Sequence, residues 1–235
     1  MQLLVRSYDD GIAFRYQVPG ETGESVKVES ELTAYNFVGD YTAWFYNKEN
    51  HNIGPEKLSE TDSIRLPIMI VQAGEEQFMA IHEADLVSGE PLVLQSKEGE
   101  TLFSVASKPK TLEPGYTSAW RVIMYGEKPG DLVDSHLIDL LNPDPDPAYD
   151  FASWVKPGMA VWDWRIDGAI WEGFKYTMSY PSWVRMVDFA AEAGFKYLVL
   201  DANWYGPEFE AESDPTKGDK AKDVRRIIAY GKEKG

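Results

Sequence analysis

The sequence contains no cysteine. This excludes disulfides, zinc–thiolate sites and a cysteine nucleophile. Histidine is scarce: His51, His82 and His136 are far apart in the chain, unsuited to a histidine-rich metal centre, and each reads as a structural or solvent-facing residue. No run of about 18 apolar residues occurs, so no membrane-spanning helix is expected. Met1 to Asp10 lacks the apolar core of a signal peptide. Basic residues are outnumbered, 23 Lys and Arg against 39 Asp and Glu, for a net charge of −16. Nucleic acid and anionic membranes repel such a chain; a metal cation or a neutral ligand such as a sugar does not. Gly-x-Ser-x-Gly nucleophile elbows, glycine-rich dinucleotide loops, Walker motifs and His-Glu-x-x-His are all missing.

Aromatic residues, by contrast, are plentiful, with 8 Trp and 13 Tyr. They supply core volume, and some can form flat platforms against sugar rings. The hydrophobic share of 43% is that of a globular protein.

The first half reads as β-structure. Gly11 to Val18 alternates, which puts Ile12, Phe14, Tyr16 and Val18 on one face. Further short strands are expected at Val26–Leu32, Ala43–Tyr46, Leu66–Val71, Phe78–Glu83, Leu92–Gln95, Thr101–Ala106 and Trp120–Met124. Many short strands punctuated by turn residues indicate an all-β sandwich or barrel. Leu141 to Pro147 then carries three alternating prolines, which no helix interior or central strand accepts, and reads as a semi-rigid connector.

Beyond it the pattern changes. Gly158 to Trp164 predicts a short apolar strand. A helix opens at Tyr180-Pro181-Ser182, capped by Ser179 or Ser182, with Trp183, Met186, Val187 and Ala190 as its apolar stripe and Gly194 as its stop. Phe195 to Asp201 predicts a buried parallel strand, and Asp219 to Lys234 a second helix with Val224, Ile227 and Ile228 facing inward. The order β-α-β-α is that of a βαβ unit. Two strands do not make a parallel-sheet domain, and the chain reaches Gly235 where a third is expected, so it reads as part of something larger. The predicted organisation is multidomain, β then α/β: a β-domain over 1–142, a linker over 143–157, and an α/β segment over 158–235.

Asp201 ends an apolar strand and is followed by Ala202-Asn203-Trp204-Tyr205. Active sites of (β/α)₈ barrels lie at such strand ends, where a carboxylate suits sugar hydroxyls and an aromatic suits a ring face. Trp162-Asp163-Trp164-Arg165 ends the preceding strand in the equivalent place; alternation sends Trp162 and Trp164 to one face and Asp163 to the other. In the first half, Glu83 and Asp85 lie two residues apart at a strand end and offer hard oxygen ligands to calcium. On residues alone that signal is weak.

Several stretches together resemble glycoside hydrolase family 97. They are Asp10-Gly11-Ile12-Ala13-Phe14-Arg15-Tyr16, Glu83-Ala84-Asp85-Leu86, Trp120-Arg121, Gly130-Asp131-Leu132, Trp154-Val155-Lys156-Pro157-Gly158, Trp162-Asp163-Trp164, and Tyr197 to Asp201 with Trp204. The resemblance spans nearly the whole chain and implies a β-super-sandwich followed by an incomplete (β/α)₈ TIM barrel. It implies an α-glycoside hydrolase of the α-glucosidase or α-galactosidase type, acting on oligosaccharides and dependent on calcium. Glu83 becomes a calcium ligand by this likeness, Asp85 a support of the local turn, and Asp163, Trp164, Asp201 and Trp204 substrate-binding residues. It places the catalytic carboxylates on later barrel strands, outside this chain, so the chain itself is expected to be inactive. Members of the family are usually periplasmic or secreted. Two alternatives fit parts of the pattern: a non-catalytic carbohydrate-binding sandwich, and an α-galactosidase-like barrel of another family.

Overall fold

In a computed structural model the described residues are 1–20, 23–48, 51–61, 64–87 and 90–235. By its contacts the chain divides into two units, Met1–Pro145 and Asp146–Gly235. The first holds β1 (Gln2–Tyr8), β2 (Gly11–Gln17), β3 (Val26–Val28), β4 (Ala34–Asn36), β5 (Thr42–Lys48), β6 (His51–Lys57), β7 (Ile64–Gly74), β8 (Gln77–Ala84), β9 (Leu94–Gln95), β10 (Leu102–Val105), β11 (Lys110–Leu112) and β12 (Trp120–Gly126), then the short helices α1 (Pro129–Asp134) and α2 (Leu137–Leu141).

The main sheet runs β1-β2-β12-β8-β7-β9-β10-β4, with β5 paired to both β6 and β7. Every pairing in it is antiparallel. The long strand β7 makes the architecture possible. Its first residues pair with β9 and its later ones with β8, so one strand serves two parts of the sheet. The sheet can then fold over one core, where Phe45, Met69, Val71 and Ile81 meet Tyr35, Leu94, Phe103 and Val105. A second core lies on the opposite face of β8 and β12. There Phe78, Ala80, Ala84, Trp120, Val122 and Met124 pack under Leu132, Leu137 and Leu141 of α1 and α2. The period of two explains the division: odd residues of β8 (Met79, Ile81, Glu83) serve the first core and even ones the second.

Sequence reading missed β1, β4, β6 and β11. Strand β1 is exposed along most of its length, so burial imposes no alternation on it. Strands β4 and β11 are three residues long, and β6 runs through Gly54-Pro55, a pair that reads as a turn. On β2, Ala13 is fully buried in the second core, whereas Ile12, on the face it shares with Phe14 and Tyr16, is exposed. His82 is half-buried, its Nδ1 without a hydrogen-bond partner among the described residues, and burial lowers its pKa. His136 is exposed beside Asp139. The side chain of His51 lies outside the described residues.

The second unit holds α3 (Phe151–Trp154), β13 (Ala160–Trp162), α4 (Asp163–Ile166), the hairpin β14 (Ile170–Trp171) and β15 (Phe174–Lys175), α5 (Tyr180–Ala193), β16 (Tyr197–Val199) and α6 (Gly218–Lys234). Strands β13 and β16 are parallel, with Val161 opposite Leu198, and α5 is the crossover between them. Trp183, Met186, Val187 and Ala190 are all buried, as their spacing predicts. Ser179 is the backbone cap of α5, but its side chain does not cap; Ser182 Oγ instead accepts the Thr177 N–H at 2.9 Å. Gly194 ends the helix at φ 73°, the left-handed conformation that favours glycine. In α6, Ile227 is buried and Val224 half-buried, but Ile228 is exposed, which corrects one of its three inward positions.

Candidate functional site

The carboxyl ends of β13 and β16 come together because the strands are paired in parallel. The first departure from expectation is at Asp163. Strand β13 stops at Trp162, and Asp163 opens the single turn α4, so strand alternation does not apply to Asp163 and Trp164. Asp163 is 1% exposed. Its Oδ2 accepts the indole N–H of Trp183 on α5 at 2.8 Å, and its Oδ1 accepts the backbone N–H of Asp201 at 2.9 Å. Both oxygens are therefore engaged inside the fold. Asp163 is expected from sequence to meet a ligand; here its carboxylate is turned inward, where a buried carboxylate without such partners would be strongly destabilising, and the partners account for its burial.

Asp201 follows β16 and is half-buried. Its Oδ2 accepts the indole N–H of Trp162 at 2.6 Å. The neighbouring Ala202 is buried, and Asn203 takes a left-handed φ of 62°, which asparagine tolerates. That turn is braced where Asn203 Oδ1 accepts the Glu208 N–H at 3.1 Å. Trp204 is half-buried, its ring edge-to-face with Tyr205 at 5.5 Å. Trp164 is 49% exposed. The strand ends thus carry one half-buried carboxylate and three tryptophans with accessible surface, Trp162, Trp164 and Trp204. Trp183 is the member that sequence reading missed, and the hydrogen bond of Trp162 to Asp201 was not legible either. Trp183 was legible only as one residue of an apolar stripe, and its indole N–H is the feature periodicity does not see.

Glu83 belongs to the first unit and faces its first core from the end of β8. Arg121 stands directly opposite on β12. Glu83 Oε2 accepts the Leu92 N–H at 2.7 Å and lies 3.6 Å from Arg121 Nη1. Glu31 holds the same guanidinium in a two-pronged pair, with Nε to Oε1 at 3.0 Å and Nη2 to Oε2 at 2.8 Å. Burial raises the Glu83 pKa, and the Leu92 amide and Arg121 only partly oppose it. Burial also works against the charge of Glu31, but the hydrogen bonds and charge of Arg121 outweigh it and hold that carboxyl below its ordinary value. Arg121 was legible as part of a motif, but its pairing with two carboxylates was not.

Asp85, two residues on, sits at φ 54°. It bonds Arg15 Nη1 at 2.9 Å, while its N–H donates to Asn142 Oδ1 at 2.8 Å. Arg15 in turn lies 4.4 Å from the centre of the Trp120 ring. Asp85 is thus tied to the turn and to α2. Among the described residues no group of three or more His, Asp or Glu is placed to hold a metal. Calcium takes six to eight oxygens, so Glu83 by itself is not a calcium site; it can offer one carboxylate oxygen.

Residues 1–143 match the family described as "Glycosyl-hydrolase 97 N-terminal". Among curated proteins the chain is similar to a retaining alpha-galactosidase of Bacteroides thetaiotaomicron, 26% identical over 97% of this chain and 40% of that protein. It is also similar to a probable retaining alpha-galactosidase of Streptomyces bingchenggensis, 27% identical over 99% of this chain and 36% of that protein. The chain therefore spans about two fifths of the length of these relatives. Solved structures share its fold. A glycoside hydrolase family 97 enzyme from Pseudoalteromonas sp. strain K8, in complex with acarbose, matches at TM-score 0.69 and 22% identity, covering 99% of this chain and 38% of that one. A beta-arabinopyranosidase matches at TM-score 0.74 and 20% identity, covering 99% and 39%. With the family match running over more than half of its residues, this chain belongs to glycosyl hydrolase family 97.

Proposed function

We propose that this chain is the sandwich and the first part of the (β/α)₈ barrel of an α-glycoside hydrolase that cleaves oligosaccharides with the help of calcium. The observation that carries the reading is the joined end of β13 and β16, where Asp201 is held by Trp162 and the strand-end residue Trp164 is 49% exposed. A carboxylate accepts sugar hydroxyls and a tryptophan face covers the apolar side of a pyranose. Asp201, Trp164 and Trp204 are the substrate-binding residues in this reading, and Asp163 supports them from inside.

Glycoside hydrolysis needs two carboxylates flanking the scissile bond. In this reading both come from sequence outside these 235 residues, in keeping with the two fifths of its relatives that the chain spans. The names of the two curated relatives favour an α-galactoside as substrate and retention of configuration. Glu83 supplies one oxygen to the calcium ion, the rest coming from elsewhere. When bound, the ion orients carboxylates and polarises the attacking oxygen.

The test is turnover of p-nitrophenyl α-galactoside and α-glucoside, with and without calcium, by this chain and by the protein of the full reading frame. Activity of the longer protein alone, abolished by chelation, is the expected result. Calcium should also raise the melting temperature of that protein, and Glu83→Gln should shrink this increment. Turnover by the 235-residue chain would overturn the placement of the two carboxylates. Indifference of the melting temperature to calcium would overturn the metal assignment.

A further inference from the structure

We infer that Asp163 is a positioning residue that sets the orientation of Asp201 and, through it, of Trp162. The inference rests on the reading of Asp201 as a sugar-binding carboxylate. Asp163 is buried and bridges two elements: Oδ2 takes the Trp183 indole N–H at 2.8 Å, and Oδ1 takes the Asp201 backbone N–H at 2.9 Å. Trp183 is itself fully buried on α5, so the anchor is tied to the rigid crossover helix rather than to a loop. Asp201 passes the constraint on, because its Oδ2 holds the Trp162 indole at 2.6 Å.

Four groups thus form one chain of hydrogen bonds: Trp183 to Asp163, the Asp201 backbone to Asp163, and Trp162 to the Asp201 side chain. Two of Asp201's degrees of freedom are removed by it. The backbone is pinned by Asp163 and the carboxylate plane by Trp162, which leaves Oδ1 as the oxygen that can turn to a ligand. Charge-assisted hydrogen bonds of this kind are the stronger class, and a binding group held by neighbours that are themselves locked loses little on meeting its ligand. A carboxylate at position 163 serves because it accepts two N–H donors at once; asparagine accepts one and presents an NH₂ to the other.

The test is a double-mutant cycle of Asp163→Asn and Asp201→Asn in the protein of the full reading frame, reading KM and kcat on p-nitrophenyl α-galactoside. Asp201→Asn should raise KM about tenfold, the scale of one hydrogen bond to a charged group. Asp163→Asn should raise KM in the same direction, and the double variant should be no worse than Asp201→Asn, since coupled residues are non-additive. Additive effects, or an unchanged KM in Asp163→Asn, would overturn the positioning role while leaving Asp201 as a contact. An unchanged KM in Asp201→Asn would overturn the binding reading itself.

A second measurement does not depend on turnover. In ¹⁵N spectra of this chain, Asp163→Asn should shift the indole N–H resonances of both Trp183, which donates to it, and Trp162, its chain neighbour, whose indole donates to Asp201 instead. A shift confined to Trp183 would break the proposed link. Should Asp163→Asn fail to fold, Trp183→Phe removes one donor from the same anchor and is read by the Trp162 resonance in the same way.

Discussion

At the scale of single residues, Arg121 decides the most. It is nearly inaccessible, with Glu31 clasping it and Glu83 facing it. Removing one partner of a buried ion pair costs up to about 3–5 kcal/mol, with Glu83 at 3.6 Å offsetting part of the charge left behind. Glu31→Ala should therefore lower the stability of the first unit by up to that amount in urea denaturation at pH 7, and a loss below about 1 kcal/mol would contradict the arrangement. The pH dependence has a sign. The Glu31 pKa is lowered in the fold from 4.5, so its contribution is complete above that value and is lost as pH falls through the folded value. Glu83 behaves oppositely: its pKa is raised, so its contribution is present at low pH and is lost as pH rises through the folded value. Glu31→Gln should accordingly flatten the loss of stability below pH 4.5. Burial thus works against ionisation of Glu83, opposed by the Leu92 amide and Arg121.

At the scale of elements, the pairing of β2 with β12 depends on Gly11. A Cβ there would stand 2.4 Å from the carbonyl oxygen of Ile123 and 2.8 Å from Leu137 Cδ2. Neither neighbour can yield easily, since one is backbone in the ladder and the other is a fully buried side chain of α2. Gly11→Ala should cost about 1–3 kcal/mol by overpacking, measured as a shift in the denaturation midpoint. Its neighbour Asp10 accepts the Ser135 hydroxyl at 2.6 Å. The Asp-Gly pair that opens β2 in the sequence motif thus has two local reasons, a close approach of backbone and an anchor for the segment before α2. The same scale explains what was legible. The stripe of α5 and its stop at Gly194 are readable because a helix against a sheet shows its burial every third or fourth residue. The end of β13 was not, because nothing in Trp162-Asp163-Trp164 marks the residue at which strand gives way to helix.

At the scale of the molecule, both cores of the first unit are closed within Met1–Pro145, and the third, around Trp183, Met186, Val187 and Ile227, lies wholly in the second unit. A protein of residues 1–145 should therefore fold alone and unfold in a single cooperative transition, checked by near-ultraviolet circular dichroism and calorimetry. Loss of fixed tertiary structure in that piece would mean that its cores need the rest of the chain. The charge of −16 acts at this scale too, since it opposes association with polyanions whatever the fold.

Composition, periodicity and motif by themselves determined the change from β to α/β, the strands at the centre of the sheet, the crossover helix with its buried face, and the family. These are properties of which residues avoid water, and they are written at spacings of two and of three to four. Tertiary structure alone decided which partners the polar residues meet. Glu31 reaches Arg121 across 90 residues and Asp163 reaches Asp201 across 38. Such contacts depend on register and on how strands order themselves in a sheet. A carboxylate looks the same in sequence whether it turns outward to a ligand, as proposed for Asp201, or inward to two N–H donors, as Asp163 does.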